Sequence, residues 1–188
     1  MNRYSRKGLW SLFLMCAFPL HIWTFILVFM DISWVAERTN MWDAVGVAAY
    51  GMVFTFVESV LVFIALALFG FLIPVKWSEE RRIALLSVFI FATALWAMNG
   101  QAYFIWERHI SETMFQYIVG LEHPLWFLYG FTLAMVLPSV AIPAYMVLIS
   151  DRFLKLVQNI VSQLSLLTMF YLFIDSIGLL IVLFRNIL

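Results

Sequence analysis

The chain has 188 residues, of which 65% are hydrophobic and 12% are charged, with a net charge of zero and a mean hydropathy of +0.99. A soluble domain carries about 25% charged and about 45–50% apolar residues, so this composition excludes a soluble fold. The zero net charge gives no basic surface for nucleic acid. The single cysteine, Cys16, excludes an internal disulfide and a thiolate metal site.

Five apolar stretches occupy most of the chain, and each has the about 20 residues that a helix needs to cross a hydrocarbon core of roughly 30 Å. None of them alternates polar and apolar residues as a spanning strand does. The sequence therefore predicts an all-α integral membrane protein, a five-helix bundle that forms a single domain over residues 1–188. The predicted spans are 8–30, 44–74, 83–106, 125–150 and 156–184.

The first stretch follows three basic residues, Arg3, Arg6 and Lys7, as a secretory signal peptide would. Its apolar run continues for more than 20 residues without a small-x-small cleavage site, so we expect a retained span.

Basic residues are distributed unequally between the two sides that five spans define. One side has eight of them, Arg3, Arg6, Lys7, Lys76, Arg81, Arg82, Arg152 and Lys155, and the other has Arg38, Arg108 and Arg185. Basic residues next to spans stay in the cytoplasm. We therefore predict a cytoplasmic N-terminus, an extracytoplasmic C-terminus and a multi-pass protein of the plasma (cell inner) membrane.

The connection at 107–124 lies on the predicted outer side. Ile110, Met114, Ile118 and Leu121 recur in it at helical spacing, which predicts a short amphipathic helix on the outer membrane surface. Such a helix serves either as a capping segment between two spans or as a lid over a site.

Glu58 lies near the middle of the second span, where a carboxylate costs roughly 2.5–3.5 kcal/mol and therefore usually faces protein or water. It belongs to a stripe at alternating three- and four-residue spacing whose small members favour close helix packing. Two interpretations stay open for Glu58: a hydrogen-bonding residue that joins helices, or a proton, cation or ligand contact. The stripe consists of Ala48, Gly51, Thr55, Glu58, Val62 and Ala65.

Asp175 is the second carboxylate within a span and lies in the predicted outer half of the fifth. His21, Asn99 and Gln101 lie in the outer halves of the first and third spans. If the helices bring these side chains together, they form a water-accessible pocket that opens outward, with Glu58 as its floor.

Familiar catalytic and cofactor patterns are absent from the sequence. It has no central lysine in a span, no Gly-x-Ser-x-Gly motif and no phosphate-binding Gly-Lys-Ser/Thr loop. His109 and His123 lack the spacing of a zinc site. We therefore predict neither a cofactor nor a metal; the absence of these motifs argues against an enzyme, but an enzyme with an unfamiliar set of catalytic residues stays open.

Three functions remain open. The first is an accessory or scaffold subunit that binds partner membrane proteins, or further copies of itself, laterally within the lipid bilayer. The second is a small proton- or ion-coupled carrier or channel that uses Glu58 and Asp175. The third is an enzyme or lipid-binding protein that works from the outward-facing polar pocket.

Overall fold

The computed structural model of the chain describes residues 4–106 and 111–187. Of the described residues 91% are helical, and no strand occurs within those two ranges. All of the α-helices except α4 are long and apolar enough to cross a membrane, which confirms the predicted all-α membrane protein with five spanning helices. The elements are α1 (Arg6–Arg38), α2 (Met41–Phe69) with a 3-10 turn (Gly70–Leu72), α3 (Glu79–Ile105), α4 (Glu112–Val119), α5 (Pro124–Ile149) and α6 (Asp151–Ile187).

The short helix α4 lies within the segment 107–124 and packs against α5. Residues 107–110, which include Ile110 of the predicted amphipathic pattern, fall outside the described residues. That α4 rests on the outer membrane surface stays a prediction.

The helices differ in length from the predicted spans. The first helix continues past residue 30 to Arg38, and the last begins at Asp151 rather than at 156. The end of α1 is set by a cap, because the Thr39 N–H donates to the carbonyl of Val35 at 2.9 Å. The Asn40 side chain then caps α2 by accepting from the N–H of Asp43. Hydrophobicity marks the part of a helix that lies in lipid, whereas caps determine where the helix ends.

The first helix is the centre of the bundle. It contacts α2, α3 and α6, while α5 packs on the outside against α3 and α6. Every residue from Leu12 to Ala17 is buried, although these six residues point in all directions around the helix. A helix that is apolar and buried on all sides belongs in a core.

Polar contacts fasten the bundle at the end where α1 begins, called here the N-terminal end. The backbone N–H and the hydroxyl of Ser5 both donate to Glu79 Oε1 at 2.7 Å, which joins α1 to α3. Arg81 donates to the carbonyl of Leu148 at 2.7 Å and pairs with Asp151. One residue, Ser150, separates α5 from α6, so Arg81 bridges α3 to both of them.

The opposite end, called here the C-terminal end, is fastened by Arg185 near the end of α6. Its guanidinium donates to the carbonyl of Trp42 at 2.6 Å and to the carboxylate of Asp43 at 2.8 Å. The last helix is therefore joined to the start of α2 here and to α3 at the N-terminal end.

Close packing between α2 and α6 depends on Gly178. A Cβ atom at this position would lie 3.3 Å from the carbonyl oxygen of Ala49 and 3.5 Å from the Cβ of Met52. Small residues permit such close approach between membrane helices.

Replacing Gly178 with leucine is expected to destabilise the bundle by about 1–3 kcal/mol, because the added atoms force α2 and α6 apart. Gly130→Leu is the matched control, since a Cβ at Gly130 meets nothing within 4 Å. Reversible unfolding in mixed detergent micelles measures both variants. Equal losses of stability for the two would contradict the assigned close contact.

Candidate functional site

A histidine and an aspartate that are far apart in sequence meet inside the bundle. His21 on α1 is 0% exposed and Asp175 on α6 is 6% exposed. The His21 Nε2 lies 2.8 Å from Asp175 Oδ2. These are the two residues that the structure brings together from the predicted polar pocket.

The other ring nitrogen of His21 is held by its own helix. Its Nδ1 lies 2.7 Å from the carbonyl oxygen of Ala17, one turn earlier. A carbonyl oxygen only accepts hydrogen bonds, so Nδ1 must carry a hydrogen and donate it. The backbone of α1 thereby fixes both the orientation of the ring and the atom, Nε2, that it offers to Asp175.

Aromatic rings surround the pair on one side. The ring of Tyr171, one turn before Asp175 on α6, lies nearly parallel to the imidazole of His21, at 6.0 Å between centroids and 13° between planes. Phe18 and Phe25 of α1 contact the ring of Tyr171 in turn, at 6.3 and 5.2 Å. This apolar shell keeps water from the pair and raises the cost of any net charge on it.

The second carboxylate oxygen of Asp175 is buried as well. Among the described residues no hydrogen-bond donor reaches Oδ1. A buried acceptor without a donor is uncommon and costs free energy, so this oxygen offers room for one more hydrogen bond or proton.

A pair of hydroxyls lies one helical turn from His21. Thr24 Oγ1 of α1 is 2.6 Å from Thr55 Oγ1 of α2. The Thr55 hydroxyl also lies 2.9 Å from the carbonyl of Gly51, which it uses as acceptor. Since Thr55 has one hydrogen to donate, Thr24 is the donor between the two helices.

Beyond these hydroxyls, α1 and α2 separate and leave a groove of about 300 Å³ that is half open to the surroundings. Thr24, Gly51 and Thr55 line it where the helices meet. Asp31, nearer the C-terminal end of the bundle, is its charged residue, and Ala48 is a further lining residue.

Glu58 lies outside the polar pair. It is exposed on α2, whereas its neighbour Ser59 is fully buried and donates to the carbonyl of Thr55 at 2.7 Å. The predicted pocket with Glu58 as its floor is therefore not formed within this bundle. The reason is helical phase: one residue is a turn of about 100°, which points Glu58 outward when Ser59 points inward.

Two further residues predicted to line the pocket are exposed on α3. The side-chain amide of Asn99 donates to the carbonyl of Leu95 on its own helix at 2.9 Å, and Gln101 is exposed as well. Neither is brought to His21 or Asp175, because α3 turns a different face toward α1.

The stripe predicted for helix packing on α2 is divided between two environments. Gly51 and Thr55 meet Thr24 of α1, and Ala48 lines the groove, but Ala65 is exposed. The buried face of α2 contains, in addition to Thr55, residues that the predicted stripe omitted. They are Ala44, Gly46, Ala49, Met52, Ser59 and Leu66.

Sequence reasoning missed Thr24 and Ser59 as polar residues of the interior. Thr24 follows His21 by three residues and so shares its face of α1, a signal that could have revealed it. No comparable signal pointed to Ser59, since α2 is apolar on all sides and shows no periodicity.

Within residues 4–106 and 111–187, no group of three or more histidine, cysteine, aspartate or glutamate side chains could hold a metal ion. His123 is the residue before α5, and His109 lies outside the described part of the chain. What the His21–Asp175 pair can do chemically is hold a proton between two atoms.

In comparisons with known proteins, no family model, no curated protein and no solved structure matches this chain.

Thr24→Val and Thr55→Val are each expected to weaken the α1–α2 contact, and their effects should not add. Hydrogen bonds between membrane helices average about 0.6 kcal/mol and reach about 1.7, so we expect a coupling energy in that range from the double-mutant cycle. Unfolding in mixed micelles measures the coupling.

Thr93→Val provides the control, because the Thr93 hydroxyl donates to Phe89 and Ile90 on its own helix. Its effect should add to that of Thr24→Val. A coupling energy for Thr24 and Thr93 as large as that for Thr24 and Thr55 would show that the coupling does not come from the Thr24–Thr55 hydrogen bond.

Proposed function

We propose that this chain is a membrane-embedded accessory subunit that binds the spanning helix of a partner membrane protein along the α2 face that carries Glu58. One observation carries the proposal: a carboxylate in the middle of a span is exposed on the outside of the bundle. Among the described residues, none forms a hydrogen bond or an ion pair with it.

The depth of Glu58 supports the proposal. At 1.5 Å per residue it lies about 26 Å along α2 from Met41 and about 17 Å from Phe69. Half of a hydrocarbon core is roughly 15 Å, so the carboxyl group lies deep in the lipid. Residues of this kind are rare on lipid-facing surfaces and mark interaction or transport sites.

The side chains next to Glu58 on α2 provide no hydrogen-bond partner for its carboxyl group. Phe54 and Leu61 flank it at one-turn spacings, Val57 precedes it directly, and all three are exposed apolar side chains. Within residues 4–106 and 111–187, no donor bonds the carboxyl group. A partner helix with a lysine, arginine, asparagine or glutamine at the same depth would supply the hydrogen bond that Glu58 lacks.

The surface around Glu58 has a shape that suits a helix. Gly51 and Ala65 lie seven residues to either side of it and thus on the same face of α2. Gly51 packs against Thr24 of α1, whereas the small side chain of Ala65 is exposed and lets another backbone approach closely. The groove between α1 and α2, which Ala48 and Gly51 line, continues this face toward the C-terminal end of the bundle.

This arrangement favours partner binding over the carrier alternative. A carrier that used Glu58 and Asp175 together would need them on one path, but one carboxylate is exposed and the other is 6% exposed inside the bundle. The role proposed here is binding, without a catalytic step.

We further infer that the N-terminal end of the bundle faces the cytoplasm and that the protein resides in the plasma membrane. The support is the excess of basic residues in the segments at that end. The short helix α4 would then lie on the outer side, next to the first residues of α5.

Glu58→Leu is expected to abolish partner binding without unfolding the bundle, because it removes a lipid-exposed carboxylate that makes no internal contact. A photo-crosslinking amino acid at Ala65, which is exposed on the same face, reports binding in native membranes. The expected product joins Ala65 to a partner helix within one turn of a basic or amide residue. Replacing that residue by leucine should also abolish the product.

The same crosslinker at Leu166, exposed on α6, and the variant Ser176→Leu are the controls. Neither is expected to give or remove the Ala65 product. A product of twice the mass of this chain would identify a second copy as the occupant and overturn the proposal of a different partner. A product that persists in Glu58→Leu would overturn the role of the carboxylate.

Two matched variants test the orientation. Glu37→Cys and Glu80→Cys each replace an exposed glutamate, the first at the C-terminal end and the second at the N-terminal end of the bundle. Since Cys16 is buried, a membrane-impermeant maleimide should label only the introduced thiol. We expect Glu37→Cys to be labelled in intact cells and Glu80→Cys only after permeabilisation; the reverse pattern would invert the orientation.

A further inference from the structure

The geometry of the His21–Asp175 pair fixes the number of protons that the two side chains hold. Because Nδ1 donates its hydrogen to the carbonyl of Ala17 at 2.7 Å, the hydrogen bond between Nε2 and Oδ2 at 2.8 Å requires a second proton. That proton resides either on His21, as imidazolium beside carboxylate, or on Asp175, as neutral imidazole beside carboxylic acid. The pair has no net charge in both cases.

Neutrality matters because both side chains are removed from water. Loss of the shared proton would leave a carboxylate facing the bare lone pair of Nε2, with a net negative charge inside an apolar bundle. Burying an unpaired charge is strongly unfavourable. The proton therefore holds α1 and α6 together at this level, and without it the two atoms repel each other.

We propose that His21 and Asp175 form a proton-binding site, in which one bound proton joins the central helix α1 to α6. Its ligand is a single proton, held between Nε2 and Oδ2. The proposal is independent of partner binding at Glu58, which lies on another surface.

The surrounding helices bring little other charge to the site. Tyr171 is the titratable side chain in ring contact with His21. The remaining titratable side chains on the packed helices are exposed, near helix ends or, for Cys16, on another face of α1. They are Arg6, Lys7, Cys16, Asp31, Glu37 and Arg38 on α1, Asp43, Tyr50 and Glu58 on α2, Glu79, Glu80, Arg81, Arg82 and Tyr103 on α3, Tyr129 and Tyr145 on α5, and Asp151, Arg152, Lys155 and Arg185 on α6.

The proposal predicts how stability depends on pH. Free imidazolium releases its proton near about pH 6.5, and a free carboxyl group near about pH 3.9. Between these values the unfolded side chains hold as many protons as the folded pair. Above about pH 6.5 the folded pair holds one more, so the equilibrium constant for unfolding should rise tenfold per pH unit.

Asp175→Asn should reverse this dependence. The side-chain amide donates to the bare Nε2 of a neutral imidazole, so the folded variant binds no extra proton. Below about pH 6.5 its unfolded state binds one that the folded state does not, and stability should rise with pH. Above that value it should stay constant.

The experiment is reversible unfolding of the parent and Asp175→Asn in mixed micelles between pH 4.5 and 8.5, with the ratio of their unfolding constants taken at each pH. The ratio removes contributions from the other titratable groups, which both proteins share. A tenfold change per pH unit is expected over this range. A ratio that does not vary with pH overturns the proposal.

If Asp175→Asn does not fold, nuclear magnetic resonance of the parent protein tests whether a proton lies between His21 Nε2 and Asp175 Oδ2. With histidine labelled by ¹⁵N and with His109 and His123 replaced by glutamine, His21 gives the histidine signals. We expect a hydrogen on Nδ1 throughout and a slowly exchanging proton between Nε2 and Oδ2 at pH 7.5. A bare Nδ1, or no proton in that hydrogen bond, overturns the proposal.

Discussion

The structure depends on the burial of one segment of α1, Leu12 to Ala17, around its whole circumference. Three helices, α2, α3 and α6, pack against α1, and each uses a different kind of contact. The α2 contact includes a hydroxyl pair, the α6 contact includes the His21–Asp175 pair, and the α3 contact is fastened by Ser5 and Glu79 at the N-terminal end. Because lipid tails are as apolar as these side chains, packing and a few hydrogen bonds must hold such a bundle together.

Most hydroxyl groups in the spans serve their own helix. Ser59, Thr93, Ser165, Thr168 and Ser176 each donate to the carbonyl four residues earlier, which satisfies the hydroxyl without a second helix. The polar contacts between helices inside the bundle, His21 with Asp175 and Thr24 with Thr55, differ from these because each requires one particular pair of helices. Glu58 has neither kind of partner within the described chain, and neither has the buried hydroxyl of Ser87.

The spans could be predicted from the sequence, because the length of an apolar run is a direct consequence of bilayer thickness. The ends of α1 and α6 could not, since they depend on caps and on contacts such as that of Arg185 with Asp43. His21 and Asp175 were recognised by residue type and depth. Which of the polar residues meet depends on the rotation of each helix, and helices as apolar as α2 and α5 give no pattern that fixes rotation.

The junction at Ser150 has a consequence for the biosynthesis of the protein. One residue between α5 and α6 leaves no loop that water could hold while a single helix crosses, so these two helices enter the bilayer as a hairpin. The hairpin also forms one ion pair at each end of the bundle. Asp151 pairs with Arg81 at the N-terminal end, and Arg185 pairs with Asp43 at the C-terminal end. Since Arg185 lies in the last turn of α6, the C-terminal end of the bundle can close only after the whole of α6 has packed against α2.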